Sequence, residues 1–287
     1  MFVKTIGLVA HARKPRAAEL VQLLADGFAT RGVELLMERV TAELIGREGC
    51  SVEELGRRVS MLVVLGGDGS LLRAVHHLGE AICPVFGINL GSLGFLTCVN
   101  SLSWQEAVDA ICNSRFVLSQ RSLLAVEVVR GGESVYQSFA LNDAVVGRGR
   151  FSRLIKLDTA IDGAILTQYN ADGLIVATPT GSTAYSLSAA GPVVLPQSGV
   201  FLINPICPHV LTNRTVIVSD ESEITVRPEA GQRGIVLTVD GQAPVSIKAG
   251  DTIRLTKSSR KLPLAMMPGL SFSEVLRQKL KWSGTAL

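Results

Sequence analysis

Over the first third of the chain, short apolar runs alternate with amphipathic stretches. Thr5–Ala10 reads as a strand. Between Arg16 and Arg31, Leu20, Leu23, Leu24 and Phe28 recur at helical spacing, and Gly32 is placed to end that helix. Val33–Met37 predicts a second strand. Met61–Leu65 is apolar without alternation, the pattern of a strand buried on both faces of a parallel sheet. A helix through Leu71–Leu78, a strand at Val85–Ile88 and a helix at Trp104–Cys112 follow. Strands alternating with helices in this way predict an α/β layer fold.

Near residue 120 the period changes. Leu123–Val129, Val135–Leu141, Leu154–Ile161 and Ala164–Tyr169 are short β-rich runs, with Gly131-Gly132 and Asp162-Gly163 between them as hairpin signals. Ile224–Val226, Gly234–Val239, Val245–Ile247 and Thr252–Thr256 continue the style. One helical interruption is expected, in the small-residue run after Thr180. Helical pattern returns at Ser271–Lys281, where Ser271 and Glu274 form a capping-box pair ahead of Val275, Leu276 and Leu280. The expected division is an α/β domain over 1–120 and a β-rich domain over 121–258. A tail and helix, 259–287, return to the first domain.

Composition narrows the class. Of 287 residues 47% are hydrophobic and 18% charged, enough to bury a sizeable core. Aromatics are 5%, so that core is aliphatic. Twenty-eight Lys and Arg against twenty-five Asp and Glu leave a net charge of +3 without long runs of one sign. That balance argues for no nucleic-acid partner. No apolar stretch reaches the ~18 residues of a membrane span, and Thr5–Ala10 is too short for a signal core, so a cytoplasmic protein without a membrane partner is expected. Five scattered cysteines (Cys50, Cys83, Cys98, Cys112, Cys207) lack CxxC spacing and read as idle thiols in a reducing compartment. His11, His76, His77 and His209 show no metal-ligand spacing, and no metal site is expected on the protein itself.

Candidate chemistry lies at four strings. Gly66-Gly67-Asp68-Gly69-Ser70 follows the buried strand and precedes a helix. Glycines there let backbone amides approach a phosphate, and the helix N-terminus adds positive potential. Asp68 would repel a phosphate, so it needs a separate task such as taking a proton or meeting a metal; a plain turn or cap residue is the alternative. Asn89–Phe95 is a second glycine turn past a strand, where ligands of open α/β sheets bind. The run Thr178–Ser188 joins a strand to a small-residue helix start and concentrates hydroxyls, with Tyr185 able to stack on a ring. Asn142-Asp143 closes the strand Val135–Leu141; the amide suits the edge of adenine and the carboxylate ribose hydroxyls, although an Asx turn explains the pair as well. Arg277, Lys279 and Lys281 read as a solvated helix face.

Together these strings resemble the bacterial NAD kinases, which convert NAD to NADP. The resemblance covers Gly66–Gly69, Asn89–Thr97, Asn142-Asp143 and Asp172–Pro192, and the segment TPTGSTAYSLSA is its most specific part. It implies a Rossmann-like α/β N-terminal domain and a β-rich, NAD-binding C-terminal domain, with the chain's end returning to the first. Asp68 corresponds to the proton acceptor facing the adenosine 2′-hydroxyl, beside Gly69, and Arg73 to a basic contact. The resemblance implies NAD contacts at Asn142, Asp143, Arg153, Asp172, Thr183, Ala184, Tyr185, Ser186, Leu187, Ser188 and Gln242. It also implies ATP and NAD as substrates, Mg²⁺ or another divalent cation brought with ATP, and a homodimer or homotetramer. Asp143 stands where Glu is common, Asn170 where some relatives are basic, and Ala190 where glycine is usual, the last expected to matter for close packing. A lipid kinase sharing the GGDG loop and a non-catalytic dinucleotide sensor are the rival readings.

Overall fold

The computed structural model describes residues 3–91, 94–150, 153–210 and 212–282. Contacts divide it into two compact units, one formed by residues 1–120 with 262–287 and the other by Arg121–Lys261.

In the first unit Glu34–Met37, Thr5–Ala10, Met61–Gly66 and Val85–Asn89 pair in that order, all parallel. Leu264 and Ala265 extend the sheet beside Val85 and Phe86. Every residue of Met61–Gly66 is buried, as its unbroken apolar run predicts for a central strand. Helices Ala17–Ala29, Asp68–Leu78 and Trp104–Cys112 supply the layers, and Ile6, Leu8, Leu24, Phe28, Val63 and Phe86 anchor an aliphatic core. Two short helices, Arg39–Glu43 and Val52–Arg58, were not legible in the pattern. Neither is long enough to show an apolar period, and each is started by a side-chain cap, Glu38 and Ser51 respectively.

The terminal helix spans Phe272–Leu280, with the Ser271–Glu274 capping box formed. Val275 is buried, and the Phe272 ring meets Phe95 of the first unit at a centroid distance of 6.1 Å. Among the described residues no helix is long and apolar enough to cross a membrane.

The second unit is β-rich. One antiparallel sheet runs Val216–Ser219, Val200–Ile206, Gly173–Ala177, Asp143–Gly147, Val236–Val239, Val245–Ser246. A second group joins Ala164–Ala171, Ile155–Ile161, Ile224–Pro228 and the first part of Thr252–Met266. Leu157, Tyr169 and Val226 from the second group share a buried cluster with Leu174, Val176 and Phe201 from the first. The expected hairpin turns form: Gly131 and Gly132, like Asp162 and Gly163, all have positive φ, as a two-residue type I′ turn requires.

Four differences from the sequence pattern bear on the site. Asn142-Asp143 does not close a strand; Asp143 opens a new one, Asp143–Gly147. Strands Val200–Ile206 and Val216–Ser219 follow the small-residue run, where no strand was expected. Thr252–Met266 is one strand of 15 residues, its continuity masked by the polar stretch Lys257–Lys261. The helix expected after Thr180 is a 3-10 turn, Thr180–Thr183, and a single helical turn, Tyr185–Ser188.

Candidate functional site

Asp68 is the first residue of its helix, and Gly67 occupies the capping position. The Asp68 carboxylate therefore caps nothing locally. It reaches across the sheet and accepts the amides of Phe95 at 2.8 Å and Leu96 at 3.1 Å, one on each oxygen. Those bonds orient the carboxylate while a half-buried position leaves lone pairs open. A Cβ on Gly94 would overlap the Asp68 carboxylate, so glycine is required there by space.

The loop holding those amides is itself fixed. Asn89 donates to the Thr97 hydroxyl at 3.0 Å and accepts the Gly91 amide at 2.7 Å; the Gly94 amide donates to the same hydroxyl at 2.9 Å. The two glycine turns thus form the walls of one cleft of about 330 Å³, lined by Gly66, Gly67, Asp68, Asn89, Leu90, Gly91 and Gly94. Lys14 and Lys279 also line it. Neither lysine was singled out as a site residue, and Lys279 was read as solvated face. They stand 265 positions apart in the chain, so no local pattern signals that they meet. Amides of the first helical turn have no carbonyl of their own helix to bond, and two ammonium groups add positive charge, so the cleft suits phosphate. Gly69 and Arg73 follow on the helix, both exposed.

In the second unit the backbone at Leu141–Asp143 is clamped on both sides. The Asn142 carbonyl accepts the Thr178 amide at 2.8 Å, and the Leu141 carbonyl accepts the Thr178 hydroxyl. On the other side the amides of Leu141, Asn142 and Asp143 all donate to the Asp240 carboxylate, at 2.7, 2.8 and 2.9 Å. Asp240 and Gly241 have φ of 45° and 69°, and the Gln242 amide closes on the Val239 carbonyl at 2.9 Å. This is the type I′ turn that Asp-Gly favours. A Cβ on Gly181 would overlap the Asn142 carbonyl, which explains the glycine of the Pro-Thr-Gly-Ser turn. Burial, and secondarily the Asp240 carboxylate, push the Asp143 pKa up to about 7, against a stabilising hydrogen bond from the Tyr185 amide.

The hydroxyls of the small-residue run are mostly structural. Ser182 donates to the Pro179 carbonyl at 2.7 Å and accepts the Val194 amide at 3.0 Å, so it is not a helix cap. Asn204 donates to the Ser186 carbonyl at 3.0 Å from the unexpected strand. Tyr185, by contrast, is 46% exposed. Ala190 adopts φ of 60°, so the glycine usual there relieves a left-handed backbone and not only close packing.

Asn142, Asp143, the Thr183–Ser188 run and Gln242 therefore gather at one end of the strands Asp143–Gly147 and Gly173–Ala177. Asp172 does not join them. It precedes Gly173 at the opposite end, on the order of 20 Å along the strand from Thr178, and pairs with Arg148 at 3.3 Å. Arg153, exposed, opens the segment leading into Ile155–Ile161. Among the described residues no three His, Cys, Asp or Glu side chains gather to hold a metal ion.

A glycine turn at the carboxyl end of a parallel strand, flanked by cations and facing one oriented carboxylate, is suited to hold phosphate beside a proton acceptor, the arrangement that phosphoryl transfer uses. Comparison with known proteins narrows that class. Residues 6–116 match the ATP-NAD kinase N-terminal domain and residues 141–267 the ATP-NAD kinase C-terminal domain. The NAD kinase of Geobacter metallireducens is 40% identical over 280 residues, spanning 98% of this chain and 99% of that one. That of Solibacter usitatus is 39% identical over 281 residues, spanning 98% of each. A crystal structure of yeast NADH kinase complexed with NADH superposes with a TM-score of 0.92 at 26% identity, covering 100% of this chain and 90% of the other. An NAD kinase from Archaeoglobus fulgidus in complex with ATP superposes with a TM-score of 0.77 at 25% identity, covering 98% and 100%. The chain belongs to the NAD kinase family.

Proposed function

We infer that the chain phosphorylates NAD to NADP, moving the γ-phosphoryl of ATP to the 2′-hydroxyl of the adenosine ribose. The observation that carries this is the Asp68 carboxylate, aimed by two distant amides at the edge of a cationic glycine cleft. A hydroxyl is a poor nucleophile, and Asp68 takes its proton as the new O–P bond forms. The bond from the γ-phosphorus to the bridging oxygen breaks, and ADP leaves with that electron pair. Lys14, Lys279 and the helix amides stabilise phosphate charge. A single carboxylate and open backbone fit a hard cation shared with nucleotide phosphates, and Mg²⁺ bound with ATP would offset the charge between its oxygens.

The first unit is thereby the ATP-binding part and the second the NAD-binding part. Asn142, Asp143, Thr183, Ala184, Tyr185, Ser186, Leu187, Ser188 and Gln242 hold the dinucleotide, with Arg73 and Arg153 as further contacts; Asp172, paired with Arg148 at the other end of its strand, is left out of that cluster. Incubation with ATP, Mg²⁺ and NAD, followed by an NADP-specific dehydrogenase, tests the assignment. NADP formation supports it; phosphorylation of diacylglycerol instead would support the lipid-kinase alternative. The half-exposed Tyr185 ring is available for stacking, so Tyr185→Ala weakens NAD binding by about 1–3 kcal/mol in calorimetry, with a smaller change in Tm. An unchanged affinity with a sharply lower Tm would make the ring structural.

We assign the protein to the cytoplasm, where its five unpaired cysteines suit a reducing medium. It acts there as a homodimer or homotetramer joined through second units. Ile165 and Ile217, 88% and 51% exposed on edge strands of that unit, are apolar where an edge usually carries blocking charge. Light scattering at micromolar concentration checks this; a monomer contradicts it.

A further inference from the structure

The two amides on Asp68 sit inside a clip. The Thr97 hydroxyl accepts the Gly94 amide at 2.9 Å, three positions back, and closes residues 94–97 into a turn. Phe95 and Leu96 are the inner residues of that turn, and theirs are the amides that meet the Asp68 carboxylate, one on each oxygen. The same hydroxyl accepts the Asn89 side-chain amide at 3.0 Å, which fills both of its lone pairs. Asn89 ends the buried strand Val85–Asn89, so the clip is moored to the sheet. Thr97 is 1% exposed, and a Cβ on Gly87 would press on its methyl and Cα, so the glycine leaves the room it occupies.

We propose that Thr97 is a positioning residue for the phosphoryl transfer: its hydroxyl holds the Phe95 and Leu96 amides in the orientation that aims Asp68 at the acceptor hydroxyl. The inference rests on the assignment of Asp68 as the base. The terminal torsion of a carboxylate is soft, so its direction is set by its partners. Those partners lie between two tethered points, the Gly94 amide and the Thr97 side chain. The phosphate wall of the cleft is held separately. Gly91 keeps two bonds of its own, its amide to the Asn89 side chain at 2.7 Å and its carbonyl from the Asn100 side chain at 2.8 Å. Loss of the Thr97 hydroxyl therefore disturbs the aim of the carboxylate and not the grip on ATP.

The test is steady-state kinetics of Thr97→Val, Thr97→Cys and Thr97→Ser, each alone and combined with Asp68→Asn, with Tm and calorimetric NAD affinity alongside. Thr97→Val keeps the shape without the hydroxyl and lowers kcat about tenfold, as a misaimed catalytic group does. Its KM for ATP and Kd for NAD stay within about twofold of wild type. Thr97→Ser retains the hydroxyl and keeps kcat within about threefold of wild type, while Thr97→Cys, whose sulfur is a weak acceptor, falls between. In the Asp68→Asn background the carboxylate no longer takes a proton, and Thr97→Val lowers kcat no further. An equal loss in both backgrounds, or a lower Tm with kcat unchanged, overturns the proposal and leaves Thr97 a stabiliser of the turn. Should Thr97→Val fail to fold, the Ser and Cys variants decide, and equal kcat for the two overturns it as well. An Asp68→Asn enzyme near the wild-type rate removes the base assignment and the proposal with it; the other failures leave that assignment standing.

Discussion

Asp68→Asn lowers kcat at saturating ATP and NAD by at least about 10²-fold and leaves NAD affinity by calorimetry nearly unchanged. The substitution keeps shape and can still accept the Phe95 amide, but it removes charge and the capacity to take a proton. Positioned general bases contribute about 10²–10⁴-fold, and a loose transition state uses the base late, so the lower half of that range applies. An Asp68→Asn enzyme within a few-fold of wild type removes Asp68 as the base and directs attention to Asp143, Asp172 and Asp240.

Gly94→Ala produces a loss of similar size, about 10²-fold in kcat, without touching any reacting group. The new Cβ occupies the position of the Asp68 carboxylate, which must rotate away and forfeit the Phe95 and Leu96 amides. Misplacement of a catalytic group by about 1 Å suffices for a loss of that order. Because both substitutions disable one carboxylate, the double variant Asp68→Asn/Gly94→Ala is little slower than either alone. Additive losses, or a Gly94→Ala kcat near wild type, contradict the role given to the Phe95–Leu96 amides.

What the sequence disclosed, and what it hid, follows from the range of the interactions. Thr5–Ala10, Met61–Gly66 and Trp104–Cys112 were legible because burial writes a period directly into neighbouring residues. The Gly131-Gly132, Asp162-Gly163 and Ser271–Glu274 signals were legible because positive φ and capping are decided within a few positions. After the Pro-Thr-Gly-Ser turn the small residues show no period, so the sequence does not disclose that the helix beyond it stops after the single turn Tyr185–Ser188. Asn142-Asp143 was assigned to the wrong end of a strand: the bonds that fix it come from Thr178 and Asp240, far along the chain. The same distance hid Lys14 and Lys279 at the glycine cleft and the amides of Phe95 and Leu96 on Asp68. Ala190 was treated as a packing change, when its φ of 60° is a backbone matter that side-chain pattern does not record.

The central claim, transfer of a phosphoryl group to one particular hydroxyl, is tested most directly by the position of the phosphate in the product. Wild-type protein is incubated with ATP, Mg²⁺ and NAD, and the product is examined by phosphorus NMR with coupling to ribose protons. The account predicts one new phosphomonoester, coupled to the adenosine 2′ proton, formed in step with ADP and at least about 10²-fold more slowly by Asp68→Asn. A phosphate at any other hydroxyl, or ADP released with inorganic phosphate and NAD unaltered, contradicts it.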